Sequence, residues 1–132
     1  MCFSSNFYQM KEVLIVGFGG FAGSISRYLL QSAIVNRFTT LLPVGTLSIN
    51  LIGSLVIGLI FGLAERYHWM TQEWRLFLAI GFCGSFTTFS TFAFDNLQLI
   101  RDGNYYQLVW YIGLSLVLGI VLAWLGYVVA RP

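Results

Sequence analysis

The sequence predicts an all-α, polytopic membrane protein with four transmembrane helices. Of its 132 residues, 58% are hydrophobic and only 9% are charged, whereas soluble domains usually carry about 25% charged residues. The apolar residues form four runs that are each long enough to cross a bilayer as a helix. Because the connections between these runs are short, residues 1–132 are expected to form a single transmembrane domain.

The four spans are predicted over residues 13–35, 46–64, 73–100 and 106–130. Residues 1–10 are predicted to be a loose N-terminal extension, since they are polar and aromatic and the first apolar run begins only after them. Pro43 and Gly45 precede the second span, and a turn signal over residues 102–104, Asp-Gly-Asn, separates the third span from the fourth. Four crossings place both chain termini on the same side of the membrane.

The third span contains the most informative segment. Residues 81–92 read Gly-Phe-Cys-Gly-Ser-Phe-Thr-Thr-Phe-Ser-Thr-Phe, and Gly, Ser, Thr and Phe are weaker helix formers than Leu or Ala. An interruption at membrane depth frees backbone groups, which is tolerated only where they are buried in protein or line a water-filled cavity. The segment therefore predicts a broken third helix with an ion or substrate site at its break.

Positive charge is nearly balanced between the two sides of the membrane. Lys11, Arg66, Arg75 and Arg131 fall on the side of the termini, and Arg27, Arg37 and Arg101 fall on the other. Because Lys and Arg bias sets orientation, this balance predicts either insertion in both orientations or an orientation decided by a partner. Insertion in both orientations would allow an antiparallel homodimer, which is the inverted-repeat plan of larger transporters. The alternative is that one arginine inside a span, Arg27, creates an apparent balance.

Small residues recur at four-residue spacing and predict close helix packing. They are Gly19 and Gly23 in the first span, Ser54, Gly58 and Gly62 in the second, and Ser115 and Gly119 in the fourth.

Several polar and aromatic side chains are candidates for an ion path. Asn50 is the only amide in the middle of the second span, and it fits both an interhelical hydrogen bond and a donor facing an ion. Phe89 and Phe92 share a helix face, and the positive edges of their rings suit an anion. Hydroxyls that are able to donate lie beside them on Thr87, Thr88, Ser90 and Thr91.

Two charged residues inside spans are candidates for the mouth of such a path. Asp95 lies one turn beyond Phe92, and acids within a membrane are functional candidates by default. A position displaced from the break places Asp95 in a vestibule. Arg27 either snorkels to the interface or attracts anions at the entrance.

Composition also argues against other classes of protein. The net charge is only +2 and no basic cluster is present, so nucleic acid is not an expected partner. The chain offers a single histidine, His68, and no Cys/His pairing. An enzyme is therefore the least favoured class.

Three segments together resemble the Fluc fluoride channel family, the small CrcB-type membrane proteins. They are Gly-Gly-Phe-Ala-Gly over residues 19–23 with Arg27-Tyr28, Gly-Thr-Leu-Ser-Ile-Asn over residues 45–50 with Gly53, and the specific segment 81–92. The resemblance covers nearly the whole chain. It implies an antiparallel, dual-topology homodimer in the bacterial cell membrane, surrounded by lipid, that passes fluoride passively out of the cytoplasm through two pores.

The resemblance also implies roles for individual residues. It implies a structural sodium ion at the dimer centre, held by the backbone carbonyls of Gly84 and Thr87. It assigns Asn50, Phe89 and Phe92 to the pore, and it places Tyr111 and Ser115 where the family has polar pore-lining residues. The chain departs from the family pattern at Ser85, at residues 93–95 (Ala-Phe-Asp) and at Gly119, where the family often has Gly, Ser-Ala-Glu and Ser.

Two other functions fit the same architecture. A small multidrug exporter also has four helices and dual topology, but it needs an acid in mid-membrane, and Asp95 is the candidate here. A non-transporting subunit of a larger membrane complex would explain the small-residue stripes but not the hydroxyl-rich break.

Overall fold

The computed structural model describes residues 3–67 and 70–131, with side chains described from residue 9 onward. The first two spans are the helices α1 (Phe3–Arg37) and α2 (Val44–Tyr67), and the last is α6 (Tyr105–Ala130). The third span consists of α3 (Gln72–Arg75), a π-helical segment π1 (Leu76–Cys83), α4 (Gly84–Phe86) and α5 (Phe89–Arg101).

Four stretches of the described chain are long and apolar enough to cross a membrane, which confirms the predicted number of spans. They are Gln9–Arg37, Val44–Tyr67, Gln72–Arg101 and Tyr105–Ala130, and each extends slightly beyond its predicted bounds. Residues 3–10 of the predicted N-terminal extension are helical and continue α1. Residues 1–2 of that extension lie outside the described residues.

Residues in the connections form the caps and turns at which the helices begin and end. Thr71 caps α3, because its hydroxyl accepts a hydrogen bond from the backbone of Trp74 at 3.5 Å. The turn between α5 and α6 contains Gly103 at φ 73°, a left-handed conformation that glycine adopts without steric cost. This tight turn brings α6 back beside α5.

Helices α2 and α6 run parallel and in close contact along a stripe of glycines. A Cβ atom at Gly58 would overlap the backbone of Ala123, and a Cβ atom at Gly126 would overlap the backbone of Leu55. Glycine therefore allows the two backbones to approach more closely than any other residue would. The small-residue stripes predicted from the sequence are where these helices meet.

Helix α1 packs in the same way against the first half of the third span. A Cβ atom at Gly19 would overlap the Phe77 carbonyl oxygen, and one at Gly23 would overlap the Phe82 carbonyl oxygen. The two contacts advance together along both segments, so α1 and π1 also run parallel. The molecule thus contains two parallel helix pairs, α1 with the third span and α2 with α6.

Polar contacts join each pair at the end nearer the chain termini. Lys11 of α1 forms an ion pair with Glu73 of α3, and Gln72 donates a hydrogen bond to Glu12 at 3.0 Å. In the other pair, the hydroxyl of Tyr127 on α6 donates to Glu65 of α2 at 2.6 Å. These contacts set the register of each pair at one membrane boundary.

Candidate functional site

The third span is interrupted at two residues between α4 and α5. Thr87 has φ −81° and ψ 157°, and Thr88 has φ −149° and ψ 114°, so both adopt extended backbone within a run of helix. Threonine suits this position because its β-branched side chain favours extended conformations and its hydroxyl can bond to nearby backbone. The chain resumes as a helix at Phe89.

Asn50 of α2 binds the backbone of the interruption. Its Oδ1 atom accepts a hydrogen bond from the Thr88 N–H at 2.9 Å, and its Nδ2 atom donates to the Thr88 carbonyl oxygen at 3.2 Å. A carboxamide carries both an acceptor and donors, so one side chain satisfies both backbone groups of Thr88. Asn50 thus forms an interhelical contact through two hydrogen bonds. Its Nδ2 atom carries a second N–H that these bonds do not use.

Threonine and serine hydroxyls complete the hydrogen bonding around the interruption. Thr87 donates to the Cys83 carbonyl oxygen at 2.9 Å, and the Thr88 hydroxyl caps α5 by accepting from the Thr91 N–H at 3.2 Å. The Thr88 hydroxyl also donates to the Thr91 hydroxyl at 3.0 Å and lies 3.2 Å from the Ser90 hydroxyl. The predicted hydroxyls at positions 88, 90 and 91 therefore form one local network.

Two backbone carbonyls lose their usual helical partners at this point. In an α-helix the N–H of each residue donates to the carbonyl four residues earlier. The Thr88 N–H, which would reach Gly84, donates to Asn50 instead, and the Thr91 N–H, which would reach Thr87, donates to the Thr88 hydroxyl instead. The carbonyl oxygens of Gly84 and Thr87 therefore do not accept these helical bonds.

A cavity of about 410 Å³ opens beside the interruption, between α2, the third span and α6. Its polar lining includes Asn50, Ser54, Thr87, Thr88 and Ser115, and its apolar lining includes Phe89 and Phe92. The lining contains hydroxyls, an amide and aromatic rings but no charged side chain. Such a surface suits a small ion that must pass through rather than bind tightly.

A row of aromatic rings leads from the cavity to the carboxylate of Asp95. The rings of Phe89 and Phe92 have centroids 5.8 Å apart, and those of Phe92 and Tyr111 have centroids 5.2 Å apart. Tyr111 is fully buried, and its hydroxyl donates a hydrogen bond to Asp95 Oδ2 at 2.9 Å. The structure therefore brings Tyr111 of α6 to Phe92 and Asp95, a contact that sequence spacing does not indicate.

Ser115 and Arg27 each carry a buried polar atom without a hydrogen-bond partner among the described residues. These atoms are Ser115 Oγ and Arg27 Nε. Ser115 lines the cavity, whereas Arg27 is not among its lining residues. Helix α1 continues past Arg27 to Arg37, so this arginine lies within the helix rather than at its end, and within the described residues no ion pair joins it to Asp95.

Sequence reasoning did not select Ser54 as a site residue, although the structure places it in the cavity lining. Its position one helical turn after Asn50 is the signal that points to it, because residues four apart share a helix face.

These features define a class of protein: a multi-pass membrane protein with an uncharged, polar site where one of its spans is interrupted. Comparison with known proteins identifies the family. The family model described as CrcB-like protein, Camphor Resistance (CrcB), matches residues 14–127, and the chain belongs to this family.

Relatives with named functions cover nearly the full chain. A protein of Leptospira interrogans is 45% identical over 88% of this chain and 91% of its own length. Relatives from Bacteroides fragilis and Azobacteroides pseudotrichonymphae are 44% and 37% identical over 85% and 93% of this chain, and over 90% and 98% of their own lengths. All three are described as fluoride-specific ion channel FluC. The predictions of a multi-pass protein of the cell membrane, and of a channel family rather than an enzyme, are confirmed.

Proposed function

We propose that this chain forms a fluoride-selective channel that exports fluoride passively from the cytoplasm. The observation that carries the proposal is the uncharged cavity beside Thr87 and Thr88, lined by hydroxyl and amide donors and by the rings of Phe89 and Phe92. The description of the relatives as fluoride-specific ion channels supports the choice of ion.

The lining chemistry suits transport of a small, strongly hydrated anion. A pore must replace the water around the ion with donors of its own. The Ser115 hydroxyl at the cavity has no hydrogen-bond partner within the described part of the chain, and Asn50 retains an N–H beyond its bonds to Thr88. The positive edges of Phe89 and Phe92 attract an anion weakly, so the ion is desolvated without being held by a full positive charge.

The direction of fluoride transport follows from the membrane potential rather than from coupling to an energy source. Moving one charge through 100 mV is worth about 2.3 kcal/mol, and a negative cell interior drives an anion outward. A passive path therefore suffices for export.

The carbonyl oxygens of Gly84 and Thr87 suit a structural sodium ion. Hard cations prefer oxygen ligands, and unwound backbone in membrane proteins supplies them for Na⁺. Both oxygens are released from helical bonding because their usual donors bind Asn50 and Thr88. A bound sodium ion would supply positive charge beside the path and hold the interrupted backbone in place. Thermal unfolding of the purified protein in NaCl and in choline chloride tests this site, and equal stability in both salts would contradict it.

An antiparallel homodimer would complete the site. Phe89, at the edge of the cavity, is 80% exposed in the single chain, which indicates that the path is open on one side. A second copy in the opposite orientation covers this side without a separate partner gene, in agreement with the balanced charges of the sequence. Lipid covers the remaining apolar faces.

The test is release of fluoride from liposomes that contain the purified protein, with chloride as the companion anion. Fast release of fluoride that requires a potassium ionophore, with chloride retained, is the expected result for a selective electrogenic channel. Absence of release from folded dimers would contradict the proposal. Drug-dependent proton flux, or a stoichiometric second protein in the purified sample, would instead favour the exporter or the subunit.

A further inference from the structure

The register between α2 and α6 places Ser54 opposite a residue with no side chain. A Cβ atom built at Gly119 would have one atom within 4 Å apart from its own helix, the Ser54 hydroxyl oxygen at 3.6 Å. The next contact along the same pair, Gly58 with Ala123, follows one turn later on both helices. Ser54 thus faces an open space that a side chain at position 119 would otherwise occupy.

Both α2 and α6 contribute polar side chains to the cavity at the level of Asn50 and Ser115. One turn later only α2, of these two helices, has a polar side chain. On α6 the Ser115 hydroxyl is buried and has no hydrogen-bond partner among the described residues, and one turn later Gly119 has no side-chain donor. On α2 the Asn50 amide is followed one turn later by the Ser54 hydroxyl, which lines the cavity. Donors on one helix face are about 5–6 Å apart at their Cβ atoms, so Gly119 leaves a gap on α6 that Ser54 of α2 is placed to bridge.

We propose that the Ser54 hydroxyl contacts the anion and serves as its hydrogen-bond donor where it passes Gly119. This inference rests on the proposed function, because it assigns one step of the fluoride path to α2. An anion that leaves Ser115 meets the Ser54 hydroxyl as its next donor, so that it is not exposed to an apolar helix face. The polar path of this chain thus crosses from α6 to α2 at the position of the glycine.

Fluoride release from liposomes tests this with variants that move the hydroxyl between helices. Ser54→Ala should lower the rate about tenfold or more, as expected for loss of one hydrogen bond to a charged group. The double variant Ser54→Ala with Gly119→Ser should restore the rate to within about threefold of wild type, because a Cβ at position 119 lies 3.6 Å from the Ser54 hydroxyl. Ser54→Ala with Gly119→Ala should not restore it.

Ser48→Ala is the matched control, because Ser48 lies on the same helix but is not among the residues that line the cavity. It should release fluoride like wild type. Size-exclusion chromatography of every variant separates a conduction defect from a folding defect.

Two results would overturn the inference. One is wild-type release by Ser54→Ala. The other is a folded Ser54→Ala, Gly119→Ser protein that stays as slow as its Gly119→Ala counterpart, since Ser54 would then act only by bonding to its own helix. Failure of the wild-type protein itself to release fluoride would overturn the proposed function and this inference with it, whereas normal wild-type release combined with either result above would overturn this inference alone.

Discussion

The side chain of Asn50 and the backbone of Thr88 exchange two hydrogen bonds across the boundary between α2 and the third span, at 2.9 Å and 3.2 Å. One carboxamide thereby replaces the helical partners that Thr88 loses where the span is interrupted. Because unsatisfied backbone groups in a bilayer cost several kcal/mol each, the interruption depends on a residue from another helix. The bond from the Thr88 N–H to Asn50 also diverts the donor that would reach the Gly84 carbonyl oxygen in a continuous helix.

Replacement of Asn50 by Asp is expected to destabilise the protein and stop fluoride release. Aspartate keeps the shape of the side chain but loses the donor to the Thr88 carbonyl and adds a negative charge beside the proposed anion path. Loss of a buried hydrogen bond costs about 1–3 kcal/mol. Thermal unfolding in detergent and liposome release measure the two effects. Asn36→Asp, at the exposed end of α1, is the control, and a stable, conducting Asn50→Asp protein would contradict the assignment.

Replacement of Phe89 by Ile is expected to abolish fluoride release while the proposed dimer remains intact. Isoleucine fills space without the positive ring edge, so it tests the aromatic contact with the anion rather than the volume. Phe94→Ile is the matched control, because Phe94 lies on the same helix, is exposed and does not line the cavity. Unchanged release by Phe89→Ile would remove the rings from the mechanism.

Replacement of Asp95 by Asn is expected to leave the rate of fluoride release within about threefold of the wild-type rate. A change of that size is less than the tenfold change in rate that about 1.4 kcal/mol of activation free energy produces. The Asn oxygen can still accept the hydrogen bond from Tyr111. A proton-coupled exporter would lose its transport, because an amide does not titrate. Loss of fluoride release in Asp95→Asn would contradict this prediction. Drug-dependent proton flux by the wild type that Asp95→Asn loses would favour the exporter over the channel.

Replacement of Gly58 by Ala is expected to lower the stability of the folded protein by about 1–3 kcal/mol. The added methyl would meet the backbone of Ala123, which can move only if α2 and α6 separate. Gly113→Ala is the matched control, since a Cβ at that position would meet no described atom within 4 Å beyond its own stretch of helix, and alanine is the better helix former. Equal midpoints of thermal unfolding for the two variants would show that close α2–α6 contact is not needed.

Several features of the site were predictable because they are local in the sequence. The segment 81–92 marks the interruption through its own composition, and the pairing of threonines with extended backbone at positions 87 and 88 follows from their chemistry. The start of α1 was less predictable. Residues 3–10 lack glycine and proline, so no local signal confines the helix to the apolar run that follows them.

The sequence by itself determined the class of protein, the number of spans and the family, because hydrophobic length and short motifs are properties of contiguous residues. Only the tertiary structure decided which residues meet. That Asn50 holds Thr88, that Tyr111 binds Asp95 and that Ser54 faces Gly119 all depend on the parallel registers of the helix pairs. Those registers are set by backbone contact at glycines on separate spans, which no single segment of the sequence specifies.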